Sequence, residues 1–316
     1  MITGAVDIGG TKIAVGAIDG AGQLLARDET PTAAARGFED AMERVTAMLE
    51  RIRREINVPM RGVGIGCTGP VDPERGTIGE VDFLPGWKGA NPVTALKTRL
   101  KLDVAMENDA DAAVLAEAEW GAGRGRRNLI SVTVGTGIGA GLFLNGELYR
   151  GVDGAHPEIG HHVIDDSGPA CYCGARGCWE SLVSGPAIAA HYAAATSANA
   201  AQVGTVRPDS PDTQRICELA GAGDAVARQE IARAARYLGI GIANLITLFV
   251  PEVIVLSGSV MNSAELFLPD IRAVIRRQCT QVPAERVALM PSLLRGDAPL
   301  IGAGVVWAHR YAWERH

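Results

Sequence analysis

The sequence predicts an α/β protein with two domains, and three observations support this prediction. Short apolar runs that end in glycine-rich turns alternate along the chain with segments of helical period. Two apolar hairpins with glycine turns, at 5–19 and 129–149, suggest that one α/β unit is duplicated. The chain of 316 residues is also long enough to bury two cores.

The first half of the chain alternates predicted strands and helices. In the predicted helix over 36–56, apolar residues recur at steps of three and four. Asn91 is the predicted cap of the next helix, because Pro92 suits the first helical position. In order, this half contains a strand pair in AVDIGGTKIAVGAID (5–19), a strand in QLLARDET (23–30), the helix over 36–56, a strand in RGVGIGCTGPVD (61–72), a helix over 92–100, a strand in DVAMEND (103–109) and a helix over about 110–120.

The second half repeats the opening in outline. LISVTVGTGIGAGLFLNGELY (129–149) has a strand, a glycine turn, a second strand, an Asn-Gly turn and a short strand. The segment 197–211 is rich in Ala, Ser, Asn and Pro and is predicted to be a surface loop. The remaining predicted elements are helices over about 185–195 and 225–248, a strand running into a glycine loop in VPEVIVLSGSV (250–260) and a helix over 300–313.

The net charge and the cysteines limit the classes of function that the protein can have. A net charge of −6 and a pI near 5.6 argue against binding to nucleic acid or to an anionic membrane. The sequence shows neither an apolar run of transmembrane length nor the pattern of a signal peptide, so we expect a cytoplasmic protein. In that compartment the six cysteines are expected to be thiols or metal ligands rather than disulfides.

Three glycine loops are candidate phosphate-binding sites. Glycine lets the backbone approach a phosphate closely, threonine hydroxyls can donate to it, and Asp7 fits a direct or water-mediated partner of Mg²⁺. Strands follow the first two loops where a Walker A or Rossmann motif needs a helix. Tight hairpin turns are the alternative interpretation, but the three loops together favour nucleotide binding. The candidate residues are Asp7, Gly9, Gly10, Thr11, Lys12, Gly135, Thr136, Gly137 and Gly258.

Asp109 lies where a predicted strand gives way to a helix, in Glu107-Asn108-Asp109-Ala110-Asp111. A carboxylate there can accept a proton from a substrate hydroxyl, which is worth roughly 10² to 10⁴ in rate. The alternative is a helix cap, since Asn and Asp are common caps, and Asp111 fits a first-turn acid facing the helix dipole. The residues alone leave both interpretations of Asp109 open.

A cysteine cluster predicts a metal site. Cys171, Cys173 and Cys178 supply three thiolates, and His161 lies upstream as a fourth ligand. A Cys₃His set is typical of closed, structural zinc, and Gly174 and Gly177 would let the chain fold back around the ion. His162 competes with His161 as the ligand. The other cysteines, at 67, 217 and 279, are predicted to be buried thiols.

Taken in order, these motifs resemble the ROK family of repressors, unassigned frames and kinases, and within it the bacterial ATP-dependent glucokinases. The resemblance extends from Val6 to about Gly304. Its motifs are DIGGTK at 7–12, GCTGPVD at 66–72, END at 107–109, VTVGTGIGAG at 132–141, Glu158-Ile159-Gly160-His161, CYCGARGCWE at 171–180 and LSGSV at 256–260.

The resemblance implies an α/β, actin-like ATPase fold of the hexokinase and RNase H-like type, with two α/β domains around a cleft. A smaller N-terminal domain would span 1–107, with the C-terminal helix, about 300–316, packing back onto it. A larger domain, 108–299, would carry the zinc loop. Relatives of this kind are commonly dimers or tetramers, so a homo-oligomer is expected.

The resemblance also implies a kinase that uses Mg-ATP to phosphorylate the 6-hydroxyl of a hexose, with glucose as the expected substrate. Asp109 would be the catalytic base, and Asn108, Glu158, His161 and Glu180 would hydrogen-bond sugar hydroxyls. His161 would have one ring nitrogen on zinc and the other toward the sugar, because a metallated imidazole still has one N–H to donate.

Two alternatives accompany this expectation. Phe83 stands in VDFLPGW where many relatives carry Asn, so the hexose could instead be mannose, fructose, allose or an N-acetylhexosamine. Independently of Phe83, polyphosphate is an alternative phosphate donor. Plain loop packing is the other interpretation of Phe83. A sugar-sensing regulator is disfavoured, because the phosphate loop begins at Asp7 and leaves no room before it for a helix-turn-helix domain.

Overall fold

The computed structural model describes residues 1–196 and 211–311 of the chain. The predicted surface loop at 197–211 therefore lies outside the described residues, except for Pro211. The chain forms two compact units. Unit 1 contains Met1–Ser131, Gly141–Pro157 and the described part of Ser292–His316, and unit 2 contains Val132–Ala140 and Glu158–Pro291.

Within residues 1–196 and 211–311, the strands form two five-stranded sheets and one short pair. The first sheet has the order β3-β2-β1-β4-β7, the second has the order β10-β9-β8-β11-β12, and β5 pairs with β6. The strands are β1 Ile2–Ile8, β2 Lys12–Asp19, β3 Leu24–Pro31, β4 Met60–Cys67, β5 Val71–Asp72, β6 Thr77–Ile78, β7 Asp103–Asn108, β8 Leu129–Val134, β9 Ile138–Leu144, β10 Glu147–Leu148, β11 Val253–Ser257 and β12 Ala288–Pro291.

The helices lie around these sheets in both units. The predicted helix at 92–100 has the predicted bounds, and Asn91 Oδ1 accepts a hydrogen bond from the Thr94 amide at 2.8 Å, as a cap should. The described α-helices are α1 Phe38–Ile56, α2 Pro92–Leu100, α3 Asp109–Glu119, α4 Trp179–Val183, α5 Gly185–Thr196, α6 Thr213–Ala222, α7 Ala225–Phe249, α8 Ala264–Gln278 and α9 Ala298–Tyr311. None of them is both long enough and apolar enough to span a membrane.

Unit 1 closes on the last described helix of the chain. α9 packs against β1, β4 and α3, and two glycines of β4 make this close approach possible. A Cβ atom added at Gly62 would lie 1.9 Å from Trp307 Nε1, and one added at Gly64 would lie 1.7 Å from the Ala303 carbonyl oxygen. The two glycines therefore allow the helix to pack directly onto the strand backbone.

Unit 2 is built around the long helix α7, which packs against α4, α5, α6 and α8. Within this unit β11 pairs in parallel with β12. The two units differ in extent from the domains predicted at 1–107 with 300–316 and at 108–299. Those domain bounds stay a prediction.

Candidate active site and candidate metal centre

Asp7 and Asp109 lie at one end of the first sheet of unit 1. Asp7 in β1 is paired with Gly66 in β4, which is paired with Glu107 in β7. Gly66 has no side chain between them, and a Cβ atom there would lie 3.6 Å from the Asp109 Cα. Burial, together with the charge of Asp109, raises the pKa of Asp7 to about 7, against the opposing charges of Lys12 and Arg27.

The helix cap at this junction is Asn108 rather than Asp109. Asn108 Oδ1 accepts from the amides of Ala110 at 2.8 Å and Asp111 at 3.4 Å, and its side-chain amide donates to the Gly69 carbonyl at 3.1 Å. Asp109 is the first residue of α3, and its Oδ1 also accepts from the Ala110 amide at 2.8 Å. Because Asn108 supplies the cap, the capping interpretation of Asp109 is not needed to explain this helix start.

Asp111 belongs to a buried ionic cluster that sequence reasoning missed. Its fully buried carboxylate accepts hydrogen bonds from Arg150 and, at 2.8 Å, from His156 Nδ1. Arg150 also pairs with Glu107. Burial nevertheless raises the pKa of Glu107 to about 7. The first-turn position predicted for Asp111 is confirmed, but its partners lie 39 and 45 residues away and leave no local sequence signal.

The predicted phosphate loop of unit 1 is a tight turn between β1 and β2. The Gly9 amide donates to the Lys12 carbonyl at 3.0 Å, and the Thr32 hydroxyl donates to the Gly9 carbonyl at 2.6 Å. Thr11 and Lys12 are exposed, and Lys12 Nζ lies 3.3 Å from Glu29 in a surface ion pair. The loop therefore has both the hairpin geometry of the alternative interpretation and exposed groups that a phosphate could contact.

Phe83 contacts this loop. A Cβ atom added at Gly10 would lie 2.9 Å from Phe83 Cδ2, while the Phe83 side chain is half exposed. The residue whose identity departs from many relatives thus packs on the candidate phosphate loop of its own unit.

The other two glycine loops meet within unit 2, at the ends of β8 and β11. The Gly135 amide donates to the Gly137 carbonyl at 2.9 Å. Gly258 has φ +92°, and a Cβ atom on it would lie 2.3 Å from the Val134 carbonyl oxygen. Thr133 and Ser257 also hydrogen-bond through their hydroxyls at 2.9 Å. The structure therefore brings Gly135, Gly137 and Gly258 together, with Thr136 exposed beside them.

The predicted metal ligands form one cluster in unit 2. One ligand atom each from His161, Cys171, Cys173 and Cys178 lies within 4.8 Å of all the others. His161 Nδ1 lies 3.5 Å from Cys171 Sγ, and the Sγ atoms of Cys173 and Cys178 are 3.5 Å apart. A backbone hydrogen bond from Ala175 holds the pKa of the Cys173 thiol below its ordinary value, which favours the thiolate that binds metal.

The structure distinguishes the two candidate histidines. His162 Nδ1 lies 2.6 Å from the Ile159 carbonyl, and its Nε2 lies 3.5 Å from the Asn244 amide nitrogen, so both nitrogens face groups outside the cluster. Gly174 and Gly177 have positive φ angles, and a Cβ atom at Gly177 would lie 1.5 Å from the Asp165 carbonyl oxygen. These two glycines therefore fold the chain back as predicted. The other described cysteines, Cys67, Cys217 and Cys279, are buried thiols, as expected.

Glu180 links the cysteine loop to the second glycine loop within unit 2. Its Oε2 accepts a hydrogen bond from the Ile138 amide at 2.8 Å. A Cβ atom added at Gly137 would lie only 2.3 Å from the same oxygen. Gly137 therefore leaves the space that the Glu180 carboxylate occupies, a constraint invisible in the glycine pattern alone.

Tyr172 is a second residue that sequence reasoning missed. Its hydroxyl lies 3.0 Å from His161 Nε2 and hydrogen-bonds to Glu180. The negative charge of Glu158 also acts on it, and Glu158 itself is exposed. Three of the predicted sugar-binding residues, Glu158, His161 and Glu180, thus lie around one tyrosine hydroxyl.

The chain is similar to known proteins over most of its length. The family model described as ROK family matches residues 3–310. A glucokinase of Streptomyces coelicolor is 34% identical over 313 residues, covering 96% of each chain. A xylose repressor of Bacillus subtilis is 30% identical over 243 residues, which cover 76% of this chain and 59% of the repressor.

Two solved structures are similar over nearly the full chain. A ROK hexokinase from Thermus thermophilus has a TM-score of 0.82 at 36% identity, covering 97% of both chains. A ROK family glucokinase from Streptomyces griseus, in complex with glucose and AMPPNP, has a TM-score of 0.82 at 34% identity, covering 96% of this chain and 98% of that one. The predicted actin-like α/β fold is thereby confirmed. With the family model matching nearly every residue, the chain belongs to the ROK family.

Proposed function

We propose that the protein is an ATP-dependent glucokinase, which transfers the γ-phosphate of ATP to the 6-hydroxyl of glucose. The observation that supports this most is the likeness, over 96% of the chain, to a glucokinase structure in complex with glucose and AMPPNP. The full-length match to the glucokinase of Streptomyces coelicolor supports the same activity. In this chain the residues suited to that reaction are those at the end of the first sheet and around the cysteine loop.

Asp109 is the proposed base. It would accept the proton of the sugar 6-hydroxyl as the O6–Pγ bond forms and the bond from Pγ to the bridging oxygen of ATP breaks, which leaves ADP. Phosphoryl transfer needs mainly positioning and charge stabilisation, so a single well-placed carboxylate is enough. Its position at the first residue of α3, with Asn108 as the cap, supports this role.

Asp7 is the proposed partner of the Mg²⁺ that accompanies ATP. It lies in β1 directly before the glycine turn, and its raised pKa shows that its negative charge lacks full compensation from the chain itself. A divalent cation would supply that compensation. The proposed ATP-binding residues are Asp7, Gly9, Gly10, Thr11, Lys12, Gly135, Thr136, Gly137 and Gly258.

The sugar hydroxyls are assigned to four polar side chains. Asn108 keeps one amide hydrogen beyond the one it donates to Gly69. Glu158, His161 and Glu180 supply the remaining contacts. Carboxylates, imidazole and amide groups suit this task, because they can accept from and donate to hydroxyls in a fixed geometry.

The cysteine cluster fits a structural zinc ion. One ligand atom from each of three thiols and one imidazole lies within 4.8 Å of all the others. A Cys₃His donor set is closed, so it offers no open position for catalytic water. Zinc bound by His161, Cys171, Cys173 and Cys178 would hold the loop in place. The loop would then present His161 and Glu180 in one fixed arrangement.

A coupled assay of ADP formation tests the proposed function. Glucose should give the highest kcat/KM among glucose, mannose, fructose, allose and N-acetylglucosamine, with ATP preferred to polyphosphate as donor. Turnover of another hexose above glucose would reassign the substrate, and no turnover of any sugar would refute the kinase. Assembly as a dimer or tetramer and a cytoplasmic location stay predictions.

A further inference from the structure

The hydroxyl of Tyr172 contacts His161 and Glu180, two of the side chains to which the proposed function assigns the sugar hydroxyls. It lies 3.0 Å from His161 Nε2 and hydrogen-bonds to the Glu180 carboxylate. The two aromatic rings meet edge to face, with centroids 5.0 Å apart and planes at 90°. Both polar contacts therefore belong to one defined position of the tyrosine ring.

The donor and the acceptor of each of these hydrogen bonds can be assigned. His161 Nδ1 faces Cys171 Sγ at 3.5 Å, so a metal held by the cluster takes Nδ1 and leaves the hydrogen on Nε2. Nε2–H then donates to the Tyr172 oxygen, and the Tyr172 O–H donates to Glu180.

The partners of Tyr172 are fixed, while Tyr172 itself is not enclosed. Glu180 is held by the Ile138 amide at 2.8 Å, and His161 is held at the cysteine cluster. Tyr172 is 72% exposed, so its ring can turn away without opening a cavity in the core. His161 Nε2 carries one hydrogen, and it cannot donate fully to the tyrosine and to a sugar hydroxyl at the same time.

We propose that Tyr172 is a placeholder for the hexose: without sugar its hydroxyl holds His161 and Glu180, and a sugar hydroxyl displaces it on binding. The inference rests on the proposed function, since it assumes that His161 and Glu180 bind the hexose. The sugar can form its own hydrogen bonds only after the two bonds of Tyr172 have broken. The apparent affinity for the sugar is therefore the intrinsic affinity multiplied by the fraction of protein in which Tyr172 has left the site. Tyr172 is thus a residue that sets sugar affinity without taking part in phosphoryl transfer.

The substitution Tyr172→Phe tests this, because it removes the hydroxyl and keeps the ring. The dissociation constant of glucose, measured by calorimetry without nucleotide, should fall about three- to tenfold, as expected from the loss of one or two competing hydrogen bonds. The KM for glucose should fall in parallel, and kcat should stay within about twofold. Tyr149→Phe, at a half-exposed tyrosine of unit 1, is the matched control and should change neither constant.

Two results would overturn the inference. An unchanged dissociation constant would show that the hydroxyl does not compete, and a raised one would show that it binds the sugar directly. Zinc content measured on each variant separates these results from loss of the metal site.

A readout without sugar separates failure of the inference from failure of the proposed function. The ¹⁵N NMR signal of His161 Nε2 should differ between the wild-type protein and Tyr172→Phe in the absence of ligand. If that signal differs while the wild-type protein binds no hexose, the proposed function fails. If glucose binds and the signal is the same in both proteins, the placeholder fails.

Discussion

Asp7 and Asp109 lie on either side of Gly66 at one end of the first sheet, and the charge of Asp109 helps to raise the pKa of Asp7. Two carboxylates so close repel each other when both are ionised. A cation between a phosphate and Asp7 would relieve that repulsion and leave Asp109 available to accept a proton. This charge arrangement fits the roles proposed above for Asp7 and Asp109.

Replacing Asp109 by Asn should lower kcat at least about a hundredfold, because the amide cannot accept the proton of the sugar hydroxyl. The KM for glucose should change much less. Asp103→Asn is the control, since Asp103 is an exposed residue at the start of β7, the strand that leads into Asp109. Steady-state kinetics and circular dichroism of both variants check this, and near-normal turnover of Asp109→Asn would remove the base assignment.

The ionisation of Asp7 predicts a pH dependence of stability. Its pKa is about 7 in the folded protein against an ordinary value of 3.8, so the folded state holds the proton more tightly. The free energy of unfolding from this group is therefore largest below about pH 4 and falls as the pH rises through about 7. Asp7→Asn should flatten that slope and, without Mg²⁺, be more stable than wild type above pH 7 by roughly 2 to 4 kcal/mol. Urea unfolding at pH 5 and pH 8 measures this, and parallel profiles would contradict it.

Replacing Gly137 by Ala should damage hexose binding although Gly137 lies in a candidate phosphate loop. The added Cβ would lie 2.3 Å from Glu180 Oε2 and force the carboxylate off the Ile138 amide. We expect the KM for glucose to rise about tenfold, since a hydrogen bond to a charged group is lost. Gly221→Ala, in helix α6 with no atom within 4 Å of the added Cβ, should leave the KM unchanged. An effect on the KM for ATP alone would disprove this coupling.

Loss of zinc should weaken sugar binding more than nucleotide binding. Protein purified without chelator should contain about one zinc per chain, and Cys178→Ser should lose it. The dissociation constant of glucose should then rise at least about tenfold, because His161 and Glu180 lose the anchor that positions them. Binding of an ATP analogue should change less. Cys217→Ala, at a buried thiol outside the cluster, is the control, and unchanged sugar affinity in zinc-free protein would refute the account.

Removing Arg150 should destabilise unit 1. Arg150→Leu leaves Asp111 fully buried without its guanidinium partner, and breaking a buried ion pair costs about 3 to 5 kcal/mol. Arg54→Leu, at an exposed position of α1, should change the free energy of unfolding by less than about 0.5 kcal/mol. Chemical denaturation of both variants measures the difference. A loss below 1 kcal/mol for Arg150→Leu would show that the cluster contributes little.

Much of the fold was predictable because strands and helices leave periodic patterns in the sequence. The predicted helix at 36–56 corresponds to α1, with Met42, Val45 and Leu49 buried as its period requires. α8 was not predicted, and it contains Pro269, a residue that normally ends a helix. β12 was also missed, because a four-residue strand offers too short an alternation to recognise.

The site was predictable where its residues are close in sequence. Cys171, Cys173 and Cys178 lie in one short segment, so their spacing alone indicated a metal site. The contact of Arg150 with Asp111 joins segments 39 residues apart that local patterns do not connect. Such contacts depend on how the loops fold back and had no signal in a single sequence.

The close fit of Trp307 over Gly62 has a consequence for how the protein is made. α9, which completes unit 1, is synthesised after β1 and β4, and most of unit 2 is made between them. Until α9 emerges, the face of the sheet that it covers stays open, and the glycines of β4 offer little side chain to shield it. The first sheet therefore waits for α9 while the intervening residues are synthesised, and an incompletely packed unit of this kind exposes surface that is prone to aggregation.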